Sequence, residues 1–149
     1  MSSQKPRALL AEDHPILRDL YKACLEALGF RCTQAAHGAA AWQQFQQSRF
    51  DLLVTDHHMP EMSGLELIQN IRAYERTHAR PRMPIVAMTA GHGKLLQHLK
   101  DAGADEVLTK LCVPSHIKQL LIRRGLIPAG NRHCLREGIQ LHQITHLKK

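Results

Sequence analysis

Aromatic residues are scarce: one tryptophan, two tyrosines and three phenylalanines make up 4% of 149 residues. That argues against a protein that stacks successive bases on aromatic rings. The formal net charge of +7 is spread along the chain and not gathered in one stripe. It is therefore weak ground for nucleic-acid binding. Cysteine is limited to Cys24, Cys32, Cys112 and Cys134, without C-x-x-C or zinc-finger spacing. Scattered in this way they are expected to be reduced thiols, not a disulfide framework. No apolar run approaches the roughly 18 residues that a membrane span needs. The opening Met1-Ser2-Ser3-Gln4-Lys5-Pro6-Arg7 lacks the apolar stretch of a signal peptide. The expectation is a cytoplasmic protein with no membrane partner. Internal repeats and low-complexity tracts are absent, which excludes solenoids and collagen-like arrays.

What is present suits one domain with a sizeable core: 44% hydrophobic and 22% charged residues. Strand-like and helix-like patterns alternate. Residues 7–12, 30–35, 51–56, 84–89 and 105–110 read as short strands. Between and after them lie five helical patterns. Pro15 opens the first, where proline suits the first helical position, and Leu17, Leu20, Cys24 and Leu28 recur at helical spacing before Gly29 ends it. Residues 38–47 suit the second; Gly64 breaks the loop after Met59-Pro60, and the third begins at Leu65 and runs to about Thr77. Residues 94–102 and 114–124 suit the fourth and fifth. Five strands alternating with five helices call for a parallel sheet covered on both faces, an α/β doubly wound fold. Residues 7–124 form this unit. Residues 125–149 form a short basic tail, interrupted early by Gly125, Pro128 and Gly130 and helical at most from Arg132 onward.

In such a sheet all strand C-termini lie at one edge, where open α/β sheets bind their ligands. Here those ends carry Glu12 and Asp13, then Asp56, then Thr89, then Lys110. Three carboxylates close together repel one another, and a hard cation such as Mg²⁺ resolves the repulsion. With the cation bound, Asp56 can stay ionised and attack phosphorus, giving an aspartyl-phosphate. Lys110 can neutralise charge on the transferring group, and Thr89 can donate its hydroxyl to a phosphoryl oxygen.

Four segments carry a family resemblance. They are Leu9-Leu10-Ala11-Glu12-Asp13-His14-Pro15, then Asp51 to Leu67 around Thr55-Asp56-His57-His58-Met59-Pro60, then Pro84 to Ala90, and Ala102-Gly103-Ala104-Asp105-Glu106-Val107-Leu108-Thr109-Lys110. In this order they resemble the receiver domain of bacterial two-component response regulators, closest in flavour to the receivers attached to hybrid sensor kinases. The resemblance implies a flavodoxin-like five-stranded parallel sheet in the order 2-1-3-4-5 with five helices. It implies that Asp56 takes a phosphoryl group from a histidine kinase or a histidine phosphotransfer protein. Asp13, Asp56 and the backbone carbonyl of His58 would ligate Mg²⁺, with Glu12 acting mostly through water. Thr89 would be the switch hydroxyl, and Lys110 would contact the phosphoryl group. The protein would be a signalling phosphoacceptor and not an enzyme with an external substrate. A downstream protein would dock on the face made by the fourth helix, fifth strand and fifth helix.

The chain also departs from the family pattern. Leu111 stands where a cis proline usually follows the lysine. Val107 stands where an aromatic switch residue is usual, so ring rotation cannot be the readout. The Gly91-His92-Gly93 loop leaves the fourth helix frayed or displaced. These departures keep a second reading open, a receiver-like interaction module that works without phosphorylation. A haloacid-dehalogenase-like phosphatase would need a second aspartate at the position of His58. His57, His58 and His92 read as exposed loop histidines, with His58 placed to overhang the phosphoryl group. His142 and His146 could share a metal only on a helical tail with a third ligand. The arginines of Arg80-Pro81-Arg82 and Arg123-Arg124 read as solvated surface, and Trp42 and Phe45 as packing of the second helix on the sheet.

Overall fold

The computed structural model describes residues 4–109 and 113–128, without the side chains of residues 113–116. Strand β1 (Arg7–Ala11) leads through helix α1 (Pro15–Ala27) to β2 (Arg31–Ala35) and α2 (Gly38–Gln47). Then follow β3 (Leu52–Asp56), α3 (Gly64–Thr77), β4 (Ile85–Thr89), α4 (Lys94–Ala102), β5 (Glu106–Thr109) and α5 (Val113–Arg123). The strands form one sheet in the order β2-β1-β3-β4-β5, every neighbouring pair parallel. The doubly wound architecture and its strand order are as the sequence implies.

Strand alternation splits the core into two layers. Ala8, Leu10, Val54 and Met88 face one side, where they meet Leu17, Tyr21 and Leu25 of α1 and Ile117, Leu120 and Leu121 of α5. Leu9, Ala11, Leu53 and Ala87 face the other, against Ala41 and Phe45 of α2, Leu67, Ile68 and Ile71 of α3, and Leu99 of α4. The central strands β3 and β4 are buried throughout, as continuous apolar runs between two helical layers must be. Edge strands β2 and β5 are half-exposed. The first layer continues past Arg124 to the buried Ile127.

Local signals fix the helix ends. The side chains of His14 and His37 accept from the backbone N–H groups of Leu17 and Ala40, so histidines cap α1 and α2. Ser63 and Glu66 form a reciprocal capping box at α3. Helix α4 does form, but it has no side-chain cap, starts after Gly93 at φ 68° and buries only Leu99. It is the least anchored helix of those whose side chains are described.

At the strand N-terminal edge, the buried Arg72 ties α3 to the sheet. It donates to Glu75 at 2.7 Å, Asp105 at 2.9 Å and the carbonyls of Met83 and Gly103. Arg80 differs from its sequence reading. It is half-buried over the rings of Phe45 and Tyr74 and donates to the Phe45 carbonyl, so it packs as well as solvates. Arg82 and Arg124 are surface residues, and both reach Asp105. Trp42 is half-buried and stacks on Phe45 at 5.9 Å, with the edge of Tyr74 at 5.7 Å.

Candidate functional site

The acids converge because of register. Ala11 of β1 lies opposite Thr55 of β3, so the next residues, Glu12 and Asp56, leave adjacent strands at the same height. Glu12 and Asp56 are fully buried, and Asp13 is exposed at the rim. One carboxylate oxygen from each of the three lies within 4.8 Å of the others. The predicted acidic cluster is therefore assembled.

Backbone groups hold it. The Asp56 Oδ1 accepts from the His57 N–H at 2.8 Å. The Glu12 Oε1 accepts from the His14 N–H at 3.3 Å. Arg18, one turn into α1, donates to the carbonyl of Glu12 at 2.9 Å and to that of Asp13 at 3.4 Å. It braces the β1–α1 turn without neutralising the carboxylates through a direct pair.

Thr89 ends β4 fully buried, and its Oγ1 accepts from the Gly91 N–H at 2.9 Å. The hydroxyl keeps its own proton to donate. Thr89 lies opposite Thr109, the last residue of β5. Lys110, Leu111 and the peptide between them lie outside the described residues, as do His142, His146 and all of the tail from Ala129. Val107 is half-buried against the second layer, a small aliphatic contact with no ring to turn.

The β3–α3 loop carries the two histidines. His58 is exposed and His57 half-buried, their rings edge-on at 4.7 Å. Burial, and then the neighbouring His58, holds the His57 imidazole below the usual histidine range against the pull of Asp56. The His57 carbonyl accepts from the Gly64 N–H at 2.8 Å. No backbone donor among the described residues takes the His58 carbonyl. His92 is exposed in the β4–α4 loop.

Two glycines let this loop sit where it does. A Cβ on Gly38 would strike the Met62 carbonyl, and a Cβ on Gly64 would strike the Asp56 carbonyl and lie 2.8 Å from the His57 Cα. Both obstacles are backbone and cannot rotate away. Gly64→Ala is expected to cost about 2 kcal/mol, read as a lower denaturant midpoint. It should also displace the Asp56 carboxylate from Glu12 and Asp13. An unchanged midpoint would show that the loop yields freely. The sequence marks Gly64 as a loop breaker but gives no sign of this close approach or of the Arg18 brace. Neither carries a local signal, because each depends on how the turns bring backbone groups together.

The donor set fits a hard cation: three carboxylate oxygens brought close together. Two oxygens on opposite sides of Mg²⁺ stand about 4.2 Å apart. The three carboxylate oxygens, all within 4.8 Å of one another, are close to that span. The two described cysteines lie away from it. Cys24 is buried and Cys32 half-buried, both free thiols, and burial pushes both up, Cys32 to about 11. Among the described residues no helix is long and apolar enough to cross a membrane.

Comparison with known proteins agrees with this geometry. The family model for the response regulator receiver domain matches residues 8–122. The sensor protein GacS of Pseudomonas syringae pv. syringae is 33% identical over 147 residues, covering 95% of this chain and 16% of that protein. The response regulator receiver protein CpdR of Brucella abortus (strain 2308) is 36% identical over 126 residues, covering 83% of this chain and 98% of that protein. The chain thus spans a small part of one relative and nearly all of the other. Among solved structures, the receiver domain of sensor histidine kinase PA1611 from Pseudomonas aeruginosa PAO1 superposes with a TM-score of 0.70 at 30% identity. The match covers 80% of this chain and 97% of that one, which has a magnesium ion coordinated in its active site cleft.

Proposed function

The chain belongs to the response regulator receiver domain family of two-component systems, and we propose that it accepts a phosphoryl group on Asp56 in a Mg²⁺-dependent step. The observation that carries this reading is the convergence of Glu12, Asp13 and Asp56 within 4.8 Å at one strand edge, with the buried hydroxyl of Thr89 at the end of β4. Asp13, Asp56 and the His58 carbonyl would hold the cation, with Glu12 acting through water. When bound, Mg²⁺ supplies positive charge that offsets the phosphoryl oxygens and the carboxylates.

The chain's own groups do the rest. Oδ2 of Asp56 attacks phosphorus while Oδ1 stays pinned by the His57 N–H. A P–O bond forms, the P–N bond to a donor phosphohistidine breaks, and the imidazole leaves with the electron pair and takes up a proton. The Thr89 hydroxyl turns its proton to a phosphoryl oxygen, and Lys110 supplies a second positive contact. The donor is a histidine kinase or a histidine phosphotransfer protein. Output would run through a protein docking on the α4-β5-α5 face. That α4 is uncapped and lightly buried supports it as the element that shifts. Val107 has no ring to rotate, which supports an output change in that helix over an aromatic switch. Residues 7–124 would be the working unit, and the stretch that follows packs on it as far as Ile127.

Two measurements test the proposal. A small acyl-phosphate donor with Mg²⁺ should add one phosphoryl group, seen by intact mass and removed by hydroxylamine. Mg²⁺ alone, at a hundred times its dissociation constant, should stabilise the fold by about 2.7 kcal/mol. Asp13→Asn should lose most of that gain. No labelling, and no thermal shift beyond that of monovalent salt at matched ionic strength, would favour instead a receiver-like module that works without phosphorylation.

A further inference from the structure

Tyr21 is fully buried in the first core layer, on the second turn of α1, among Leu10, Leu17, Val54 and Met88. Its hydroxyl meets no hydrogen-bond partner among the described residues. A buried donor without a partner is unfavourable, and few native groups are left so. Phenylalanine would fill the same space at no such cost. The surroundings give the hydroxyl a reason to be there. Alternation along the strands puts Glu12 on the same face of its strand as Leu10, and Asp56 on the same face as Val54. The ring therefore lies on the same side of the sheet as the two buried acids. Burial, then the charges of Glu12 and Asp56, holds the phenol proton on well above the usual tyrosine range. The group is a neutral donor at any working pH.

We propose that Tyr21 is a positioning residue of the acidic site, its hydroxyl donating to the Glu12 carboxylate when the site is loaded. Glu12 is the better acceptor of the two acids. It stands at the end of the strand that leads directly into α1, the helix that carries Tyr21, whereas Asp56 belongs to β3 and already accepts from the His57 N–H. Glu12 is also the acid expected to hold the cation through water, so its orientation fixes where that water stands. A donor held by a helix from below would set that orientation, as groups behind metal ligands commonly do. The inference rests on the cation-binding reading of the site given above.

The test is Tyr21→Phe in the full chain, with two readouts. Calorimetric titration with Mg²⁺ should show affinity weaker by about tenfold, the scale of a lost hydrogen bond to a charged group. The thermal midpoint without Mg²⁺ should stay the same or rise, because the variant removes an unsatisfied buried hydroxyl. Equal Mg²⁺ affinity in wild type and variant would overturn the inference alone. A clear fall in the metal-free midpoint would also overturn it, by showing that the hydroxyl holds the fold. A wild-type chain that binds no Mg²⁺ would overturn the cation-binding reading and this inference with it.

Discussion

Replacing Asp56 with asparagine is expected to abolish phosphoryl labelling, a fall of at least about a hundredfold, at the limit of detection. The substitution is nearly isosteric. It keeps an oxygen for the His57 N–H but removes the anionic nucleophile. Competition from the neighbours makes the test sharp. Glu12 and Asp13 each bring an oxygen within the same 4.8 Å cluster, so proximity alone does not decide which acid is phosphorylated. Burial and orientation do. Asp13 is exposed at the rim, and Glu12 turns one oxygen to the His14 N–H. Asp56 alone of the three ends a central strand, fully buried, with Oδ1 pinned by the His57 N–H. Label that persisted in Asp56→Asn and mapped to Asp13 would put the nucleophile at the wrong residue. Circular dichroism of the variant should match wild type, which separates lost chemistry from lost fold.

The sheet was legible because its signals are local. Runs such as Leu52-Leu53-Val54 and Ile85-Val86-Ala87-Met88 are apolar on both faces, as only a strand between two helical layers would be. Pro15, Gly29 and Gly103 mark helix ends by their own backbone preferences. The site followed from topology: once the strands are parallel, acids at their C-termini must meet. Most of what stayed hidden depends on contacts that only the fold creates. Nothing near Tyr21 says that its hydroxyl is buried without a partner. Nothing near Gly38 says that the Met62 carbonyl will press against it. Arg80 sits in a basic connector that reads as surface, and its burial comes from rings on α2 and α3. His14 and His37 are poor helix caps by residue type, so their Nδ1 contacts had no warning in the sequence.

The largest expected loss of stability lies at the other edge of the sheet, in Arg72→Met. Arg72 stands on the inner face of α3, 4% exposed, and donates to two carboxylates and two carbonyls. Breaking a buried ion pair from one side costs about 3–5 kcal/mol, chiefly because the partner charge is stranded. For a chain of this size that is roughly 10 °C in thermal midpoint. The two partners are not equally exposed to the loss. Asp105 keeps Arg82, Arg124 and the Ile85 N–H. Glu75 is 5% exposed and keeps only the Met83 N–H. Most of the penalty should therefore sit on Glu75, and Arg72→Met with Glu75→Gln should recover about half of it. A double variant no more stable than the single one would mean that the lost bonds to the Met83 and Gly103 carbonyls dominate. Gly103 is part of the same joint: it sits at φ 120°, and a Cβ there would lie 2.7 Å from the Arg72 Cγ. Because Arg72 braces the N-terminal end of β4 while Thr89 ends that strand at the acidic pocket, the folded fraction of Arg72→Met should still label at Asp56 at the wild-type rate. Loss of labelling in parallel with stability, measured well below the variant's own midpoint, would show that the two edges of the sheet are coupled.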